Sequence, residues 1–304
     1  MGKFVIAGGT GFVGRPLSDR LLKDGHDVVI LTRAPSHRAS SGGPSPLFVQ
    51  WDARTPGSWV DSMEGAMAVI NLAGESIGAR RWSGKQRARI VASRLDSTSA
   101  IVDGLSQVET KPQVLVNGSA VGFYGNTGDS EITENSKKGT GFLADTVDRW
   151  EREARRVEAL GIRLVLLRTG VVLGKGGGAL SRMLLPFRLF LGGPLGSGQQ
   201  WFPWIHIDDV IEIILFSVKT EIIDGVLNAA APDPVTMKEF CAALGGSLNR
   251  PSSIPVPAFA LQFILGEMSQ MILGSQKIVP SRLTEAGFRF RYPELGGALS
   301  SVVK

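Results

Sequence analysis

Three glycines spaced by three, Gly8, Gly11 and Gly14, carry the plainest chemistry in this sequence. They lie in Gly8-Gly9-Thr10-Gly11-Phe12-Val13-Gly14, after the apolar run Phe4–Ala7 and before Leu17, Leu21 and Leu22 at helical spacing. Glycine lets a backbone turn sharply and approach a ligand where a Cβ would intervene. A helix starting there aims its free N–H groups and the positive end of its dipole at an anion. Strand, glycine turn and helix in this order read as a dinucleotide pyrophosphate site, with Gly8, Thr10, Gly11, Phe12, Val13 and Gly14 around the phosphates.

The next strand, Asp27–Thr32, ends in Thr32-Arg33. NAD sites place Asp or Glu near this point for the ribose 2′-hydroxyl. A carboxylate repels a 2′-phosphate, whereas a guanidinium pairs with it, so the expected cofactor is NADP, held at its adenosine end by Thr32 and Arg33. The strand over Ala68–Leu72 runs into Leu72-Ala73-Gly74, small residues at the strand end where open α/β sheets bind ligands. Ser83-x-x-Gln86 reads as a capping box that opens a helix reaching about Leu105. Its apolar face, with Ile90, Thr98 and Ile101, also carries Arg94. A guanidinium there needs an anion, either a cofactor phosphate or a structural carboxylate.

These groups need a scaffold, and the remaining pattern supplies it. Val114–Asn117 predicts a strand leading into Gly118–Gly125, which holds Ser119 and Tyr124; a helix is expected over about Leu143–Leu160. The strand Arg163–Arg168 runs on through Thr169 and Gly170 to Val171, where such sheets pass the nicotinamide, so Ser119, Arg168 and Val171 join the expected cofactor set. Glycine-rich segments, Gly174–Gly178 and Leu191–Gly198, then flank an apolar helical stretch, Leu180–Leu191. Trp201, Phe202 and Trp204 follow, and Leu191–Trp204 is the expected substrate pocket. His206 precedes Asp208-Asp209, an expected helix N-cap, and reads as structural. Val226–Ala229 predicts a strand, and Thr236-x-x-Glu239 a capped helix. Residues 34–46, with His37 and Arg38, read as a loop leaving Arg33.

Alternating strands and helices give the α/β class, a doubly wound parallel (Rossmann) sheet with a smaller C-terminal substrate-covering lobe. Residues 1–175, with 203–232 returning, are expected to form the cofactor domain, and 176–202 and 233–304 the lobe.

A chain of 304 residues with 43% apolar and 20% charged residues is of ordinary globular composition. One cysteine, Cys241, leaves no intrachain disulfide and suits a reducing compartment, the cytoplasm or a plastid stroma. The start shows no charged-then-apolar leader. Val256–Gly274 is broken by Gln262, Glu267 and Gln270 and reads as a groove-forming helix, not a span, so no membrane partner is expected. The net charge of +5 is spread out apart from Arg80, Arg81, Lys85, Arg87 and Arg89, and no aromatic-studded stripe suggests nucleic acid. No metal-ligand set stands out, and nothing specifies an oligomeric state.

Gly8–Gly14, Asn71–Glu75, Arg81-Trp82, Ser93-Arg94, Gly118–Gly125, Trp150-Glu151, Leu166–Gly174, Trp204–Asp209 and Ala286–Phe288 together resemble one family. It is an atypical, extended short-chain dehydrogenase/reductase group, nucleoside-diphosphate-sugar-epimerase-like, some members of which are labelled cell-division inhibitor SulA. Its C-terminal end resembles a domain of unknown function. The resemblance implies NADP(H) binding and either oxidoreductase or epimerase activity on a small molecule, or a non-catalytic regulatory role in cell or plastid division. Active members use Tyr-x-x-x-Lys, but the matching stretch here, Gly141–Val147, has neither residue. Ser119 and Tyr124 are the remaining candidates for the acid. Phe202 stands where the resemblance expects an arginine for a sugar nucleotide's phosphates.

Overall fold

The computed structural model describes residues 1–34 and 44–303; the expected loop with His37 and Arg38 lies mostly outside them. Seven parallel strands form the central sheet. They are β1 (Lys3–Ala7), β2 (Asp27–Thr32), β3 (Leu47–Gln50), β4 (Ala68–Asn71), β5 (Val114–Ala120), and the strands Arg163–Thr169 and Gly225–Ala229. From β3 the order runs β2, β1, β4, β5, Arg163–Thr169, Gly225–Ala229. The chain winds outward from β1 to β3, then crosses back to place β4 on the other side of β1, with Phe4 opposite Ala68 and Ala7 opposite Asn71. That reversal leaves a crevice between the C-terminal ends of β1 and β4.

Both faces of the sheet are covered, which is why β1 reads as an unbroken apolar run. Phe4 and Ile6 turn toward α1 (Gly14–Lys23) and α5 (Ile207–Lys219), packing with Leu17, Leu21, Ile213 and Ile214. Val5 and Ala7 turn to the opposite face, against Ile101 and Leu105 of α2 (Gly84–Gln107) and Ala154 of α3 (Phe142–Arg155). This period-two alternation fixes the register, since a one-residue slip would exchange the two faces.

A second buried cluster lies beside the sheet. It joins Leu173, Phe187, Phe202 and Trp204 to Phe240, Cys241 and Leu299, drawing on α4 (Leu180–Arg188), α6 (Met237–Leu248) and the helix Leu295–Val303. The aromatic segment expected to line a pocket is thus partly core. Phe202 is buried against Phe240 with ring centroids 4.5 Å apart, and Trp204 is fully buried. Asp209 fixes the C-terminal segment by accepting the N–H groups of Arg291 and Tyr292 at 2.7 and 3.1 Å. Thr236 and Glu239 form the expected capping box on α6.

Candidate functional site

The glycine turn follows β1 and ends at Gly14, where α1 starts. Gly8 has φ +79°, open to glycine without strain, and a Cβ there would lie 2.7 Å from the Leu72 carbonyl group. A Cβ on Gly14 would lie 2.2 Å from the Gly8 carbonyl oxygen, far inside van der Waals contact. These two glycines hold the turn against β4 and seat the helix on it. Thr10 and Gly11 stay exposed at the tip. The first turn of α1 carries no acidic residue and no side-chain cap, so nothing neutralises the positive end of its dipole; Pro16 has no N–H, and the Arg15 and Leu17 N–H groups donate to the Gly11 and Val13 carbonyls at 3.1 and 3.2 Å. Phe12 packs toward the glycine-rich segment after Leu173, where a Cβ on Gly177 would lie 2.5 Å from its ring. Phe12 thereby joins the turn to the sheet face that also holds Ile205 and Ile207.

Three further elements meet the same edge of the sheet. β2 delivers Thr32 and Arg33, and Arg33 is exposed beside a shallow hollow lined by Trp51, Asp52, Thr55 and Trp59. Asp52 is held down to about 2, first by the Thr55 backbone N–H and then by its hydroxyl and the Arg54 N–H, so its charge is already satisfied within its own turn. β4 delivers Leu72, Ala73 and Gly74. Asn71 just before them is fully buried and donates to Thr98 Oγ1 and Asn117 Oδ1 at 3.0 and 2.8 Å, tying β4 to α2 and β5.

Arg94 stands behind Gly74, whose Cβ would sit 3.5 Å from the guanidinium carbon. Its Nη1 donates to the carbonyls of Glu75 and Ile90 at 3.1 and 3.0 Å, and its guanidinium lies 5.2 Å from the Trp150 ring centre. Burial pulls its pKa down to about 10, against the pull of the Glu75 charge. Among the described residues no carboxylate lies within 4 Å of it. Of the two anions the sequence allowed, the structural carboxylate is therefore not in place.

The end of β5 holds a different arrangement. Ser119 is buried and donates to Glu151 Oε1 at 2.5 Å. Glu151 also takes a two-pronged bond from Arg168, Nε to Oε1 at 2.8 Å and Nη2 to Oε2 at 2.7 Å. Burial alone would lower Arg168, but the bonded Glu151 more than reverses this and leaves its pKa raised. The Arg168 guanidinium also stacks on Phe123, 3.5 Å from the ring centre. Tyr124 is buried, donates to Asn228 Oδ1 at 2.7 Å, and has its pKa raised by burial. Both acid candidates thus spend their hydroxyl hydrogens inside the protein. The Arg168 side chain is equally committed, to Glu151 and the Phe123 ring, and its backbone is paired between β5 and the strand Gly225–Ala229. Val171 lies next along the chain, in a short strand paired in parallel with Trp204–His206.

Two details escaped the sequence reading. His206 is itself the N-cap of α5, accepting the Asp208 N–H at Nδ1 (3.0 Å), while Nε2 meets Ser301 Oγ at 2.9 Å; the aspartates occupy the first turn. Ser83 caps α2 as expected, but the Gln86 side chain donates to Glu75 Oε1 at 2.9 Å instead of closing the box.

With this geometry in hand, comparison places the chain among known proteins. Residues 4–230 match the NAD dependent epimerase/dehydratase family, and residues 256–302 match a domain of unknown function, DUF1731. The chain is 42% identical over 301 residues to the chloroplastic epimerase family protein SDR39U1 homolog of Arabidopsis thaliana, covering 98% of this chain and 86% of that one. It is 38% identical over 301 residues to epimerase family protein YfhF of Bacillus subtilis, covering 98% and 97%. Its structure superposes with TM-score 0.90 and 36% identity on human epimerase family protein SDR39U1 crystallised with NADPH, over 99% of this chain and 98% of that one. The cell-division label has no counterpart in these names.

Proposed function

The chain belongs to the NAD dependent epimerase/dehydratase family, and from that premise we propose that it binds NADP(H) and serves as an oxidoreductase or epimerase for a small molecule. The observation that carries this reading is Arg33 at the end of β2, in the position where a carboxylate would exclude a 2′-phosphate. The human relative described as crystallised with NADPH supports it. Gly8, Thr10, Gly11, Phe12, Val13 and Gly14 would surround the pyrophosphate, the Gly11 N–H being already given to the Gly8 carbonyl, and Thr32 and Arg33 would take the adenosine phosphate. Leu72, Ala73 and Gly74 would form the facing wall, with Arg94 supplying positive charge. Ser119, the Arg168 backbone and Val171 would border the nicotinamide. When bound, the cofactor supplies the hydride or its acceptor.

The protein's own residues then limit the substrate. Phe202 sits in the core where a sugar nucleotide's phosphates would need an arginine, so the substrate is a weakly anionic carbonyl or hydroxyl compound. Ser119, at the end of β5, is better placed than Tyr124 to meet the reacting oxygen, with Glu151 holding its orientation. A second reading, a non-catalytic NADP(H)-dependent binding protein of the cytoplasm or plastid stroma, is favoured by the commitment of both hydroxyls.

Turnover assays with NADPH and NADP against a panel of small carbonyls, alcohols and UDP- and GDP-sugars separate the readings. Turnover of a small carbonyl or alcohol compound is expected, reduced about 10²-fold or more by Ser119→Ala and little by Tyr124→Phe. Robust turnover of a nucleotide sugar abolished by Tyr124→Phe contradicts the assignment. Binding without turnover of any compound selects the second reading.

A further inference from the structure

The basic cluster Arg80–Arg89 is left unused by the cofactor site, and the fold gives it neighbours that the sequence did not reveal. Eight of the eleven exposed large apolar side chains among the described residues fall in just two stretches, 185–191 and 254–264. The two stretches are adjacent, because Ile254 N–H donates to the Gly192 carbonyl at 3.2 Å and Val256 N–H to the Pro194 carbonyl at 2.9 Å. The second stretch includes α7 (Ala258–Leu265), apolar at every position but Gln262, of which only Leu261 is buried. Phe263 is 83% exposed and Phe259 73%. A contiguous surface of this kind on a folded protein marks a contact with something else.

Its charge says what. Residues 76–89, 175–191 and 250–266 hold nine Lys and Arg and no Asp or Glu, in a chain whose whole excess is +5. The three segments touch. Arg81 donates to the Phe263 carbonyl at 3.1 Å, Arg182 to the Gly78 carbonyl, and Arg250 lies 4.4 Å from the centre of the Phe190 ring. The neighbouring acid, Glu267, is paired with Arg87. Leu, Ile and Phe projecting through a ring of arginines match neither a second copy nor a nucleic acid. A twofold contact would press like charge on like charge. Aliphatic side chains gain nothing from phosphates or base edges.

We propose that this face, formed by α4, α7 and the start of α2, docks on an anionic lipid bilayer, with Phe259, Phe263 and Leu189 entering the acyl boundary and the arginines meeting lipid phosphates. An eight-residue helix is about 12 Å long, too short to span, and so lies in the interfacial plane. No helix among the described residues is long and apolar enough to cross a membrane; the contact is peripheral. The proposal departs from the expectation that no membrane takes part.

Flotation of the full chain with vesicles of phosphatidylcholine alone, and with about one third phosphatidylglycerol, tests this. Binding is expected on the anionic vesicles at low salt, weakening as salt rises. Arg188→Gln should lower the partition coefficient about fivefold, and Phe259→Ser with Phe263→Ser at least about tenfold. Both variants should melt as the parent does, since all three side chains are exposed. No flotation at low salt, equal flotation on neutral vesicles, or full binding by both variants would overturn the proposal. So would a dimer in sedimentation velocity that the paired phenylalanine substitutions dissolve.

Discussion

Replacing Arg94 by methionine separates a ligand-binding arginine from a structural one. Its charge is held with its pKa near 10 rather than 12.5, mainly by burial. A shift of that size corresponds to about 3 kcal/mol of unfavourable environment in the folded protein without an anion. Methionine keeps the stem that packs by Gly74 and Trp150 and removes that cost. It also removes the bonds to the Glu75 and Ile90 carbonyls, together worth about 2 kcal/mol. The unliganded variant should therefore be as stable as the parent or more so. With NADPH the sign reverses, because a charge-assisted bond is worth about 1.5–3 kcal/mol, or roughly a tenfold to hundredfold weaker affinity. Thermal melting of parent and variant, each with and without NADPH, reads both terms. A variant that loses stability when empty, yet keeps its full NADPH-induced shift, refutes the reasoning and makes Arg94 a fold residue.

Three other outcomes follow from the buried groups. Glu151→Gln leaves the Arg168 guanidinium unpaired in the interior and should cost about 3–5 kcal/mol in urea unfolding; a loss under about 1 kcal/mol contradicts the ion pair. His206 is kept below its ordinary pKa by burial, so the unfolded chain takes up its proton first and stability falls as pH drops below about 6.5. His206→Asn should flatten that part of the melting-temperature profile, and an unchanged slope counts against it. Burial pushes the Cys241 thiol up to about 12, so a thiol reagent at mildly alkaline pH should react only after unfolding; prompt reaction with the native protein would contradict its burial.

The scaffold was largely legible because its signals are local. Phe4–Ala7, the glycine turn and Leu17 and Leu21 fall within 20 residues and need only period and turn chemistry to be read. Side-chain commitments were not legible, because they depend on partners brought together by the fold. Arg168 and Glu151 stand 17 residues apart on different elements, and Tyr124 meets Asn228 across 104. Phe202 and Trp204 read as a pocket because aromatic clusters line sites and cores alike; only Phe240, Cys241 and Leu299 decide between them. The apolar, basic face was hidden for the same reason, being assembled from three segments that are individually ordinary.

The central claim is that Arg33 makes this an NADP(H) site. Calorimetric titration of the parent and Arg33→Ala with NADPH and with NADH tests it most directly. The parent should bind NADPH more tightly, and Arg33→Ala should weaken NADPH by about tenfold or more while leaving NADH nearly unchanged. Equal losses for the two nucleotides, or a parent that prefers NADH, would contradict it.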